Sequence, residues 1–514
     1  MVSRFLGLGR DMLVTAVFGV EAIASVFYTA FTLPNLFRRL LGEGALTAAF
    51  VPTLNEELKA HGRAGALGLV NQVASWLFVV SGGIVALAMA LLWSVPHLGG
   101  AAAAAGVDPV AWRRWVEAAD LGVILFPYLV CVSLAAAFSA ALQTLNRFLE
   151  PALSPIWLNV AMISLLAGGA YGGWASSPGG TMLWLCGGAL LGGFLQMGVP
   201  AWALMREGWR PRFDLSLSAP LRQIARLMGP TLFGSAIYLI NMSVSRFIGL
   251  SLNDSAVAVL NLATRVMEVP IGVFTVAVST VIFPLIARYA AAGDWEQLAV
   301  SYRKGVRLIL VINVPAAAGL VVLATPIVRM LFQRGAFDAT DTAEMGPVLM
   351  MFALGLPFLA FTNIVLRAFY AQKDTRTPVR AAAMSFGVNL GLSLVLMGPF
   401  GTMGLAAASN IATVGQAVYL QWRLAQKREG FAFHWLWRDL AKVLAATGVM
   451  SVVVFGGWWL WSRAVPAVGW SNAVGLGLTI AAGALVYSAL LWAMRIEGRE
   501  DLAAMFQRLR TKLG

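Results

Sequence analysis

The sequence predicts an all-α polytopic membrane protein with about 14 transmembrane helices, and three observations carry that prediction. Hydrophobic residues make up 59% of the 514-residue chain and charged residues only 12%, with a mean hydropathy of +0.77. Apolar runs of about 20 residues, enough to cross ~30 Å of hydrocarbon, recur along the whole length. Basic residues concentrate in alternate connections. Lys59, Arg63, Arg147, Arg206, Arg210, Arg212, Arg303, Lys304, Arg376 and Lys427 fall on one side, against Arg113, Arg114, Arg334 and Arg463 on the other. That bias places both termini in the cytoplasm. It also makes the net charge of +13 a matter of topology and not of nucleic-acid binding.

The first run, 3–19, is short and carries Arg4, Arg10 and Asp11; an interfacial helix is the alternative there, more for Arg4 than for Arg10. The second, 21–41, ends in TLPNLFRRLLGEG, and the third, 67–95, follows the polar stretch NEELKAHGRAG. Runs at 119–146, 151–172 and 182–205 complete a first group of six. A basic segment, 206–224, precedes the runs 225–251, 255–287, 305–332, 345–370, 378–399 and 402–422. Two more, 439–462 and 469–494, stand before a charged tail. No cleavable leader is evident.

The two groups of six read as a duplication. AALQTLNRFLEPALSPIWLNV resembles RAFYAQKDTRTPVRAAAMSFGVNL about 227 residues later: a helix end, a polar turn, an opening proline (Pro151, Pro378) and a following asparagine (Asn159, Asn389). FVPTLNEELKAHGRAGALGLVNQV likewise resembles IFPLIARYAAAGDWEQLAVSYRKG, at an offset of 232 by Pro52 and Pro284. The expected organisation is a six-helix lobe at 1–205, a cytoplasmic linker at 206–224, a second lobe at 225–425, and two additional helices with a tail at 426–514. Six is even, so the repeats are parallel, the arrangement in which substrate sits between lobes and access alternates.

The chemistry is in the arginines. A charge at mid-bilayer costs roughly 3 kcal/mol on insertion scales, so such residues face a wet, protein-lined space or a partner. Arg265 lies about ten residues into its run, ~15 Å deep at 1.5 Å per residue, too far for a snorkelling anchor. Glu268, one turn on, either closes a structural ion pair with it or holds the guanidinium with its fork toward a phosphate. Pro270 follows. In the second run Pro34 is expected to kink the helix, Asn35 shares a face with at least one of Arg38 and Arg39, and Glu43 can orient an arginine. Snorkelling positive-inside anchoring is the alternative for that group. Arg4 and Asp11 share a face while Arg10 is rotated by about 100°; one arginine pairs locally and leaves the other for a cavity. Arg246 lies nearer an outer end and reads equally as an anchor.

Other classes drop out. There is no GxxxxGK[ST] loop for ATP and no aspartate-rich motif of a metal-dependent glycosyltransferase, so a transporter is expected and not an enzyme. His61, His97 and His434 have no metal-ligand spacing, and Cys131 and Cys186 both fall within runs, so neither a metal site nor a disulfide is expected.

SRFLGLGRD (3–11), LPNLFRRLLGEGALTAAFVP (33–52), RVMEVPIGVFTVAVSTVIFP (265–284), FQRGAF (332–337) and AFYAQKDTRTPV (368–379) resemble the MurJ (MviN) family of lipid II flippases, across essentially the whole chain. That family belongs to the multidrug/oligosaccharidyl-lipid/polysaccharide exporter superfamily. The resemblance implies a cationic central cavity and alternating access. The substrate it implies is undecaprenyl-pyrophosphate-linked disaccharide-pentapeptide, moved to the periplasmic leaflet of the bacterial inner membrane. It also implies functional roles for Arg4, Arg10, Asn35, Arg38, Arg39, Glu43, Arg265 and Glu268. Cell-wall synthesis proteins are the implied partners. No cofactor is implied; the coupling ion is open, with membrane potential able to reset the empty cationic cavity.

Departures from the family pattern are informative. Only two residues precede Ser3, so either the start lies upstream or the first helix is truncated. Acids common in the family are replaced by Ser25, Ser245 and Thr264, which weakens proton coupling through them. Asn241, Ser385 and Asn389 are weak sodium-site candidates without a carboxylate. The alternatives are a flippase for another polyprenyl-pyrophosphate-linked glycan, a drug exporter of the same superfamily, or a non-transporting scaffold.

Overall fold

In hydrocarbon every backbone N–H and C=O must find a partner within the protein, and a helix achieves this within a single segment. The computed structural model, which describes residues 2–40, 46–433, 436–465 and 469–495, is accordingly helical, with no strand among the described residues. The first helices are α1 (Val2–Phe18), α2 (Ala22–Leu40), α3 (Leu46–Ser94), α4 (Gly99–Ala104), α5 (Pro109–Leu125), α6 (Tyr128–Thr144), α7 (Leu149–Tyr171), α8 (Pro178–Arg206) and α9 (Ala219–Leu252). There follow α10 (Ala256–Pro270), a π-helical turn (Ile271–Thr275), α11 (Val276–Ala292), α12 (Trp295–Val322), α13 (Ala324–Phe332) and α14 (Ala339–Ala371). The last are α15 (Arg376–Lys427), α16 (Trp437–Ala464) and α17 (Gly469–Ala493).

Two of these are pairs of helices joined at glycine. Gly62 in α3 (φ 67°) and Gly401 in α15 (φ 55°) leave the helical region, where a side chain would be strained. With α5 and α6 taken as one bent span and α10 and α11 as another, every one of the fourteen apolar runs has a helix. By length and composition alone, eight described helices pass as spans, or nine with the α5–α6 pair, bent by 44°. The rest are shorter, interrupted or more polar. Large apolar side chains point outward, including Leu87, Val452 and Leu485 at 63%, 72% and 72% exposure. That is the surface of a chain whose solvent is lipid.

The chain divides into two compact units, residues 1–258 with 334–337, and residues 259–333 with 338–514. By packing, the division falls one helix beyond the 206–224 connection, because α9 packs on α2, α3 and α5 of the first unit. In the first unit a core of Phe50, Leu54, Val70, Phe138, Leu142 and Trp209 joins α3, α6 and the segment after α8. In the second, Ile282, Tyr302, Ile309, Phe369 and Leu420 join α11, α12, α14 and α15. The pair α16 and α17 packs on α12, where Tyr487 donates to the Val311 carbonyl at 2.7 Å and Arg307 Nε lies 2.6 Å from Asp439 Oδ2.

The duplication is written in the backbone. Left-handed residues recur in pairs, Gly62 and Gly293, Asn146 and Lys373, Gly173 and Gly401, separated by 227 to 231 residues. Asn146 and Lys373 end their helices in the same way. The next N–H reaches back five residues, Arg147 to Leu142 O at 2.8 Å and Asp374 to Phe369 O at 3.0 Å.

Helices α7 and α8 meet through Gly188 and Gly192, four apart on one face, as close-packed membrane helices do. A Cβ at Gly192 would lie 2.7 Å from Leu158 Cα, and one at Gly188 would lie 2.8 Å from Met162 Cα, both backbone atoms that cannot swing away. Gly192→Leu is expected to lower stability by about 1–3 kcal/mol, read as a drop in the midpoint of thermal unfolding in detergent. Gly198→Ala, where a Cβ meets nothing within 4 Å, should not lower it.

Candidate functional site

On α1 the ambiguity between two arginines resolves. Arg10 is 7% exposed and Asp11 fully buried; Arg10 donates from Nε at 3.1 Å and Nη2 at 2.7 Å to one oxygen, Asp11 Oδ1. Its remaining Nη1 lies 3.7 Å from Met162 Sδ on α7. Arg10 therefore takes the local carboxylate despite the 100° rotation, because its long side chain folds back along the helix. Arg4 is exposed. Asn159 of α7, singled out as a repeat marker, donates from Nδ2 to Pro155 O at 3.0 Å and reaches Ser3 O at 3.4 Å, against the same helix.

In α2, Pro34 is buried within the helix, which runs on to Leu40. Asn35 is half-buried. Arg38 and Arg39 form the last turn, one helical turn beyond Asn35; their side chains, and Glu43 altogether, lie outside the described residues. Ser25 is fully buried and has work of its own. Its Oγ accepts from Ala258 N–H at 3.1 Å, while Asn253 Oδ1 accepts from Ala256 N–H at 2.7 Å. Together they cap the first turn of α10, whose leading N–H groups have no partners within the helix. Sequence reading missed this cap, since nothing local in the chain marks Ser25 as facing a helix more than 200 residues on.

Helix α10 carries Arg265 and Glu268 as expected, Nη1 to Oε2 at 3.2 Å, with side chains 32% and 35% exposed. The guanidinium is thus paired with a carboxylate without being enclosed. Pro270 ends α10 and the chain widens into the π-helical turn Ile271–Thr275, which no sequence signal had indicated. Proline supplies no N–H for a carbonyl one turn back, and such turns concentrate at functional positions. The turn is pinned where Thr275 Oγ1 meets Asn313 Oδ1 at 3.2 Å, both buried on α11's side of α12.

The sodium-site candidates separate. Ser385 and Asn389 are both 2% exposed, one turn apart on α15; Ser385 Oγ donates to Ala412 O at 3.3 Å and Ser393 Oγ meets Asn389 Oδ1 at 3.4 Å. The Asn241 side chain lies outside the described residues. Among the described residues no group of three His, Cys, Asp or Glu could hold a metal ion.

Two carboxylates that sequence reading passed over organise the basic connections. Glu207, just past α8, accepts from Arg147 at 2.8 Å and from Arg63, and the hydrogen bond from Arg147 holds its carboxyl below the usual range. Asp374, in the AQKDTRTP turn, is partly buried, which alone would raise its pKa. The Lys427 ammonium at 2.7 Å, with the Thr377 N–H at 3.0 Å and hydroxyl at 2.8 Å, overcomes this and brings it to about 2. Both residues are far in sequence from their partners, so only the fold reveals them.

The architecture is that of a known class of membrane transporter. A lipid II flippase MurJ solved in an inward closed conformation superimposes with a TM-score of 0.76, over 96% of this chain and 98% of that one at 24% identity. An inward-facing multidrug resistance MATE family transporter of the MOP superfamily gives 0.65, over 82% and 94% at 15% identity. The family is shown by sequence: residues 14–468 match the model for Lipid II flippase MurJ. The probable lipid II flippase MurJ of Rhizobium meliloti (strain 1021) is 35% identical over 414 residues, 80% of this chain and 76% of that one. The lipid II flippase MurJ of Burkholderia cenocepacia is 30% identical, covering 74% and 73%. The chain belongs to the MurJ family, and is a multi-pass membrane protein of a transporter family, not an enzyme.

Removing Asp11 leaves the buried Arg10 guanidinium without its carboxylate, so Asp11→Asn is expected to cost about 3 kcal/mol in detergent unfolding. Arg10→Met with Asp11→Leu should recover most of it. The Asp374 carboxyl is depressed in the folded state, so its contribution is complete above about pH 4, its unfolded range, and is lost as pH falls toward 2. A pH series of unfolding midpoints should therefore show the parent more stable than Asp374→Asn above about pH 4, the gap narrowing below that and closing only near pH 2.

Proposed function

We propose that this chain carries lipid II, the lipid-linked peptidoglycan precursor, from the cytoplasmic to the periplasmic leaflet of the inner membrane by alternating access. The observation that carries the reading is Arg265. It stands some 14 Å into α10 at 1.5 Å per residue, lies 3.2 Å from Glu268, and keeps a third of its side chain accessible. A planar guanidinium held in this way suits bidentate contact with a pyrophosphate. Arg4, Arg38 and Arg39 supply further positive charge, and Arg10, already neutralised by Asp11, serves to position α1. The names of the relatives support the substrate, and the inward states of the matching structures support alternating access.

Each unit charge crossing 100 mV gains ~2.3 kcal/mol, so membrane potential can return the unloaded cationic form without a dedicated ion site. A drug exporter of the same fold would favour acidic groups for cationic cargo, whereas the intramembrane charge of this chain is dominated by arginine. The positive-inside pattern places both termini in the cytoplasm under this reading.

Expression in bacteria depleted of their own lipid II flippase tests the proposal. The parent should restore growth, and Arg265→Ala and Arg38→Ala, at matched membrane levels, should not. Arg265→Lys should rescue poorly, because a point charge cannot make the forked contact. Growth restored equally by Arg265→Ala would remove arginine from the mechanism.

A further inference from the structure

The segment after α8 is neither helix nor free loop. Residues 209–218 run along α3, and their inward polar groups are met by its side chains. Trp209 Nε1 and Arg212 N donate to Asn71 Oδ1 at 2.8 and 3.2 Å; Asp214 N donates to Ser75 Oγ at 2.9 Å; Trp76 Nε1 donates to Leu215 O at 3.2 Å. Gln72 bonds both Ser216 Oγ and Ser218 Oγ, at 3.0 and 2.6 Å.

The outward face has the opposite character. Phe213, Leu215 and Leu217, alternating as an extended chain requires, are 64%, 41% and 59% exposed. A soluble loop places such residues inward; here the polar side faces the protein and the apolar side faces out. The strap begins where α8 ends in Trp202 and Arg206, whose guanidinium lies 3.7 Å over the indole ring, an aromatic and cation pair suited to the headgroup level. Arg210 and Arg212 are exposed on the strap, and neither makes an ion pair among the described residues. Asp214, which feels the charge of Arg212, accepts from Ser216 N and Gln72 Nε2, and Glu207 is taken by Arg63 and Arg147. Ser218 then caps α9, whose first turns present exposed Arg222 and Arg226 at the positive end of the helix dipole.

We propose that residues 209–218 form an interfacial strap that binds anionic phospholipid in the leaflet at this end of α8. Phe213, Leu215 and Leu217 enter the acyl boundary and Arg210 and Arg212 hold the phosphate. The proposal requires only that the chain sit in a bilayer, and it stands whatever substrate is carried.

Native mass spectrometry of the full chain in detergent, titrated with phosphatidylglycerol and with phosphatidylcholine of the same acyl chains, tests the headgroup. The parent should prefer phosphatidylglycerol. Arg210→Gln with Arg212→Gln should lose that preference by roughly fivefold per arginine, and Arg113→Gln should leave it unchanged. No preference in the parent, or one untouched by the double variant, overturns the proposal. Depth is tested with a spin label at Phe213→Cys in a Cys131→Ala, Cys186→Ala background in phosphatidylglycerol-containing nanodiscs. Greater relaxation by oxygen than by a water-soluble nickel chelate supports insertion; the reverse places the strap in water and sinks it.

Discussion

Backbone hydrogen bonding in a medium without water is the constraint on which the rest of this structure depends. It restricts the chain to helices, and it makes every departure from a helix a place where another group must step in. Such departures recur in matched pairs. The left-handed turns at Asn146 and Lys373 return the next N–H to a carbonyl of the helix just ended. At α10 the leading N–H groups are taken by Asn253 and Ser25, and at the strap the polar face of α3 serves the extended backbone. A membrane protein of this size can afford irregular chain only where polar side chains already wait for it.

The same medium sorts the charges. Where an arginine is fully surrounded, as Arg10 is, its carboxylate is the adjacent residue and contacts come from two nitrogens. Arg265, paired with Glu268, is only part-buried, with a third of its side chain accessible. At the helix ends the pattern changes again: Glu207 gathers Arg63 and Arg147, and Asp374 takes Lys427, each from a distant segment. Cationic side chains thus do different physical tasks, separated by burial and not by sequence context. Ser25 adds a further case, since its buried hydroxyl caps α10 without adding charge.

Much was legible in the chain. The fourteen apolar runs, the likeness of the two halves and the Arg265–Glu268 spacing all follow from periods of 3.6 residues, hydrocarbon thickness and the cost of buried charge. The π-helical turn after Pro270 has no marker in composition; the same proline can end, kink or widen a helix, and the packing of Thr275 on Asn313 accompanies the third outcome.

What the sequence by itself determined is the set of segments and their environment. Hydropathy and charge placement act residue by residue along the chain, so spans, the likeness between its halves and intramembrane arginines can be read without coordinates. What only the tertiary structure decided is which polar group answers which: Arg10 and not Arg4 for Asp11, Ser25 for the start of α10, Lys427 for Asp374, Asn71 and Gln72 for the strap. Those pairings depend on distances between atoms remote in sequence, set by how small residues such as Gly188 and Gly192 let helices approach.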